Sequence, residues 1–158
     1  MNLRKILVAI DFSPDSERAI DAAVELANGN HGHLTLLHVY ESPAYSTPDM
    51  GMYVPAPELT ADIIADARRA LDEIKMRWAA KGVSVDVAWV AGTAAPEIVG
   101  YAREHDFDLI VVGSHGRRGF RRFVLGSVAE TVVRTADRPV LTVHPHATES
   151  SLAEAGAP

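Results

Sequence analysis

Apolar residues along this chain follow two rhythms, short continuous runs and longer stretches with a helical period. Lys5 to Ile10 and Leu34 to Val39 are short apolar runs, and Asp108 to Val112 contains the run Leu-Ile-Val-Val. Such runs read as strands buried on both faces. Residues 83–90 alternate instead, with Val83, Val85, Val87 and Trp89 on one side. That pattern predicts a strand with one face less buried. Arg138 to Val143 is a fifth strand, and Pro139 near its start suits an edge position, since proline cannot donate to a ladder.

Helical spacing fills the gaps. Ser13 can cap a first helix, with Pro14 at its first position and Asp15 and Glu17 in its first turn. Ile20, Ala23, Leu26 and Ala27 supply its buried stripe, and Asn28-Gly29 is the expected stop. Glu58 to Lys81 reads as a long amphipathic helix carried by Ile63, Ile64, Ala67, Leu71, Ile74 and Trp78, with Gly82 ending it. Thr93 caps a short helix to about His105, with Pro96 tolerated in its first turn. From Val128 on, apolar residues at 128, 129, 132, 133 and 136 give a fourth helix.

Strands alternating with helices predict an α/β fold, a five-stranded doubly wound parallel sheet with helices on both faces. A flavodoxin-like layout of order 3-2-1-4-5 reverses between the first and fourth strands. Ligands of such sheets bind beyond the strand carboxyl ends at that reversal. Asp11 ends the first strand and Gly113 the fourth, so both features meet there.

Two segments break the rhythm. Glu41 to Pro57 holds four prolines, two methionines and two tyrosines. A connection of that length is a covering segment over a ligand or a mobile insertion. Residues 146–158 are polar, alanine-rich and aperiodic, and read as a loose tail. The remainder, residues 1–145, forms one domain.

Composition narrows the function. A net charge of -6 argues against nonspecific nucleic-acid binding as the main task. The chain has no cysteine, which removes disulfides, thiolate metal sites and cysteine nucleophiles. The apolar run Ile6 to Ile10 is too short for a signal-peptide core or a membrane span. The expectation is a cytoplasmic protein without membrane contact.

Against that acidic background, residues 109–143 stand out. Gly113, Gly116, Gly119 and Gly126-Ser127 punctuate the passage from strand to helix, and Arg117, Arg118, Arg121 and Arg122 lie among them. No acidic residue occurs between Asp108 and Glu130. Unpaired amides at a helix start attract anions, and glycines let the backbone approach a ligand. The arginines also have a plainer role as a solvated loop, with one of them on phosphate. Phe120, Phe123, Val124 and Leu125 read as packing or loop anchors, and Ser127 as a possible N-cap. The pairs His31/His33 and His144/His146 lack a third metal ligand and read as surface histidines.

The spacing Gly113-x2-Gly116-x9-Gly126-Ser127, with the VAIDFS and LLHV segments, resembles the nucleotide-binding signature of the universal stress protein family, ATP-binding branch. The resemblance spans Leu3 to Val143. It implies an adenine nucleotide alpha hydrolase-like fold and ATP with Mg²⁺ or Mn²⁺. It also implies a homodimer joined through the fifth strand, residues 138–143, and a regulatory role in stress response. Asp11, with Ala9 beside it, would face the adenosine. The main chain of Val39 would recognise the adenine edge. Gly113, His115 and Gly116 would lie along the ribose and first phosphates. Gly126, Ser127, Val128 and Ala129 would cradle the terminal phosphate, although Ala129 stands where a hydroxyl residue is often found. Slow ATP hydrolysis or phosphotransfer is the alternative, weakened because Gly126-Ser127 lacks a preceding lysine of the phosphate-loop type. An interaction module without nucleotide is the third reading.

Overall fold

The computed structural model describes residues 3–40, 57–114 and 125–144. Strands β1 (Lys5–Ala9), β2 (His33–Tyr40), β3 (Val85–Ala91), β4 (Leu109–Gly113) and β5 (Val140–Val143) alternate with four helices. These are α1 (Pro14–Asn30), α2 (Pro57–Ala79), α3 (Ala94–Glu104) and α4 (Ser127–Thr135). All four strand pairings are parallel and the order is β3-β2-β1-β4-β5, as the sequence pattern predicts. The covering segment expected at 41–57 lies, up to residue 56, outside the described residues, as does the tail.

Each strand sends alternate side chains to opposite faces, and both faces are covered. Ile6, Val8, Leu34, Leu36 and Val111 pack with α1 and α2 through Ile20, Ala23, Leu71 and Ile74. Leu7, Leu37, Ile110 and Val112 pack with α3 and α4 through Ile98, Ala102, Ala129 and Val132. This two-sided burial is why the central runs carry almost no polar residues. β5 is an edge strand with all four residues half-buried, in keeping with Pro139 before it.

Three helices have boundaries that differ from expectation, α2 by ending at Ala79 and not Lys81. α1 continues through Asn28-Gly29 to Asn30, and His31 caps it in the left-handed region at φ 52°. Gly32 supplies the stop. Its N–H donates to the Ala27 carbonyl at 2.8 Å, and a Cβ there would lie 2.6 Å from the Leu3 carbonyl oxygen. α4 has Gly126, not Ser127, as its N-cap, which makes Ser127 the first helical residue. Among the described side chains of α2, the apolar stripe is fully buried only from Leu71 onward. Leu71, Ile74 and Trp78 are buried, whereas Ile63 remains 48% exposed.

The start of α1 is capped as expected. Ser13 Oγ accepts from the Ser16 N–H at 3.2 Å, and both residues are buried. Ser13→Ala removes that acceptor and leaves a buried donor. A loss of about 1 kcal/mol is expected, read as a lower urea midpoint at unchanged m-value.

Candidate functional site

At the carboxyl ends of β1 and β4 the connections leave in opposite directions, and a cleft of about 1000 Å³ opens there. β1 stops at Ala9, whose partner is Leu37, while β2 runs on to Tyr40 beside β3. The Ile10 N–H donates to the Leu37 carbonyl at 2.9 Å, so the main-chain polar groups of Leu37 point toward β1. Those of Val39, two residues on, point the same way. They face the space past the end of β1, while the Tyr40 carbonyl turns the other way and takes the Gly92 N–H at 2.9 Å.

The chain leaves β1 through a tight turn. Asp11 Oδ1 accepts the Ser13 N–H at 3.0 Å. Phe12 sits at φ 62°, a region that bulky residues seldom occupy and that clusters at functional sites. Its ring lies 4.6 Å from that of His38 on β2, and His38 Nδ1 lies 2.9 Å from the Ile10 carbonyl oxygen.

Three helices bring their N-termini to this rim, and they are not equivalent as anion sites. α1 is capped by Ser13 and carries Asp15 and Glu17 in its first turn, which repel an anion. α3 starts after Thr93 without a side-chain cap, but Pro96 lacks an N–H and Glu97 is in the first turn. α4 also carries one acidic residue in its first turn, Glu130, but has glycine as its N-cap and therefore no side-chain acceptor. Its first intrahelical bond runs from the Glu130 N–H to the Gly126 carbonyl at 2.9 Å. The amides of Ser127, Val128 and Ala129 precede that bond, and all three residues line the cleft. This start is the favoured place for a negative group.

The structure gathers Ala9, Asp11, Val39, Gly113, Gly126, Ser127, Val128 and Ala129 around this one cleft. His115 and Gly116 lie outside the described residues, as do the four arginines, Phe120, Phe123 and Val124. Gly113 also has a packing reason to lack a side chain. A Cβ there would lie 3.0 Å from the carbonyl carbon and Cβ of Asp15, at the start of α1. The Ser114 N–H donates to the Val143 carbonyl at 2.8 Å, and its carbonyl accepts the Gly126 N–H at 2.7 Å. The segment between β4 and α4 is thereby pinned at its base.

Sequence reasoning missed Phe12, His38 and Tyr40, and the α2 flank of Ile63, Asp66, Ala67 and Ala70, all of which border the cleft. The α2 residues carried a helical period that looked like core. The one available signal was His38, a polar residue inside an apolar strand run.

Of the histidines considered for metal binding, His31 and His33 have other roles, and His146 lies outside the described residues. His31 caps α1. His33 places Nδ1 2.7 Å from Ser84 Oγ and Nε2 3.1 Å from Asp86 Oδ2, at the amino ends of β2 and β3. Lys75 Nζ donates to Asp86 Oδ1 at 3.0 Å and holds that carboxyl below the usual carboxylate range, with the nearby His33 adding to the effect. Stability from this lowered pKa is present above the ordinary carboxylate value and is lost as pH falls through the folded one. It is small, because the side chain is 60% exposed. Among the described residues no three His, Asp or Glu side chains are grouped to hold a metal ion. No helix among them is long and apolar enough to cross a membrane.

Comparison with known proteins gives a consistent result. Residues 2–144 match the family model described as the universal stress protein family. Universal stress protein YxiE of Bacillus subtilis (strain 168) is 37% identical over 144 residues, 88% of this chain and 97% of that protein. The solved structure of hypothetical protein MJ0577, from Methanocaldococcus jannaschii, superposes with a TM-score of 0.79 at 28% identity. It covers 94% of this chain and 100% of that one. A crystal structure of a universal stress protein in complex with cAMP superposes with a TM-score of 0.69 at 25% identity, over 92% of this chain and 100% of the other.

Proposed function

The chain belongs to the universal stress protein family, and on that premise we propose that it binds ATP at the strand switch point and works as a nucleotide-dependent regulator in stress response. The observation that carries this reading is the start of α4, a helix N-terminus without a side-chain cap, opening on the cleft beside the unladdered main chain of Val39. Donors for phosphate and for a base edge thus share one concavity. Its volume is at the upper end of the roughly 300–1,000 Å³ typical of small-molecule sites, so a nucleoside triphosphate has room. A relative crystallised with cAMP supports the adenine preference, since cAMP and ATP share base and sugar.

In this reading the Ser127, Val128 and Ala129 amides hold the terminal phosphate, Gly113 lies near the ribose, and Asp11 with Ala9 meets the adenosine. The Val39 main chain reads the base. Ala129 offers only its N–H. A Mg²⁺ or Mn²⁺ ion held by the triphosphate itself would neutralise part of its charge. The protein is cytoplasmic, and two copies join along the free edge of β5. Adenine nucleotide should copurify with the protein, identified by mass spectrometry, and labelled ATP should bind in preference to GTP. Absence of binding by either nucleotide overturns the reading. Sedimentation should give about 34 kDa, twice the chain mass of 17.0 kDa; a single-chain mass removes the dimer.

A further inference from the structure

The hydrogen-bond ladder between β1 and β2 ends in an unusual way. Its last main-chain rung is the Ile10 N–H to the Leu37 carbonyl. The next rung of a regular parallel pair would run from the Val39 N–H to the Ile10 carbonyl. Among the described residues that rung is not formed. The Ile10 carbonyl is met instead by the side chain of His38, with Nδ1 at 2.9 Å. A carbonyl oxygen only accepts, so Nδ1 carries the hydrogen in this contact. The ring is held from the other side by Phe12, whose left-handed backbone turns it back onto β2.

We propose that His38 is a positioning residue for the base: its imidazole replaces the Val39 amide as donor to Ile10, and so leaves the Val39 main chain to face the ligand. The proposal rests on the nucleotide reading above and deepens it. A buried carbonyl without a donor is costly, so something must satisfy Ile10. If the amide of Val39 did so, the strand would zip one rung further and the base edge would lose its partner. The imidazole meets the same need from the side chain and stops the ladder at that point. His38 also fixes the turn that projects Asp11, because Ile10 and Phe12 flank that residue and both touch the ring. The phosphate cradle at α4 is a separate element and does not depend on it.

The test uses the full-length protein with two variants and three probes. His38→Phe keeps a ring against Phe12 and loses the donor. His38→Asn keeps an N–H donor near the place of Nδ1. His38→Phe should bind ATP and adenosine about ten-fold more weakly, while inorganic tripolyphosphate binds as before. His38→Asn should bind ATP within about three-fold of the unmodified protein. Amide exchange at Val39, followed by NMR without nucleotide, should slow in His38→Phe as the rung closes, and stay fast in His38→Asn. In the unmodified protein, ¹⁵N spectra should show the neutral ring protonated at Nδ1, a readout that no folding defect of a variant can affect. Protonation at Nε2, ATP binding undiminished in His38→Phe, or equal loss of ATP and tripolyphosphate each overturns the proposal. If the unmodified protein binds tripolyphosphate but neither ATP nor adenosine, the nucleotide reading itself has failed, and that result is distinct from the others.

Discussion

Replacing Ser127 by proline should weaken ATP binding roughly ten- to hundred-fold and leave folding stability within about 0.5 kcal/mol. A hydrogen bond to a charged group contributes about 1.5–3 kcal/mol, and each 1.4 kcal/mol is about a factor of ten in affinity. Proline deletes one of the three amides proposed to hold the phosphate. It does so at the first helical position, where the N–H has no intrahelical partner and the fixed φ suits a helix start. The preceding residue tolerates the change, because Gly126 already has φ -61° and ψ 151°, the extended region preferred before proline. The Ser127 carbonyl, which accepts from Thr131 Oγ at 2.8 Å, is untouched. Ser127→Ala separates the two parts of the residue, since it removes the hydroxyl and retains the amide. Calorimetric titration and urea unfolding of both variants give the comparison. Full-strength binding by Ser127→Pro would show that this amide does not carry the phosphate, and the cradle would have to be abandoned.

The second large effect is expected at Gly113. Gly113→Ala should cost about 1–3 kcal/mol of stability, the range for forcing a methyl into a packed site. The atoms in the way are the main chain and Cβ of Asp15, at 3.0–3.1 Å from the added carbon, and a helix start cannot step aside as a flexible side chain can. Relief therefore moves α1 away from β4. The Asp11 turn lies immediately before α1, so ATP binding should weaken along with stability. Urea unfolding with and without saturating Mg-ATP reads both quantities. A variant as stable as the parent, with binding alone reduced, would assign Gly113 to ligand approach and not to packing.

Much of the fold was legible because its determinants are local. Two-sided burial writes itself as the unbroken runs of β1 and β4, and the Ser13-Pro14 start of α1 is a local signal too. Strand order followed from the alternation of elements together with the rule that placed Asp11 beside Gly113. What escaped depends on contacts between distant segments. The stop of α1 was read at Gly29, whereas the residue under steric compulsion is Gly32, and the group that compels it is Leu3. Ser127 was a reasonable cap by residue type, yet the polypeptide enters α4 one residue earlier. Ile63 kept the helical period but stays exposed, because the buried residues of α2 begin only at Leu71. Periodicity reports which face is apolar and cannot say whether core or ligand will cover it. His38 is the converse case, a polar residue in an apolar run whose reason appears only once Ile10 is beside it.

The bond between Ser114 and Gly126 has an evolutionary corollary. Because the two ends of the connection are fastened to each other, its length is decoupled from the helix start that follows. Doubling a flexible loop costs only about 0.6 kcal/mol in closure entropy. Changes of length after Gly116 should therefore disturb the start of α4 little, as long as the Ser114–Gly126 bond is kept. Selection can thus vary the length of that connection while the α4 amides keep their place.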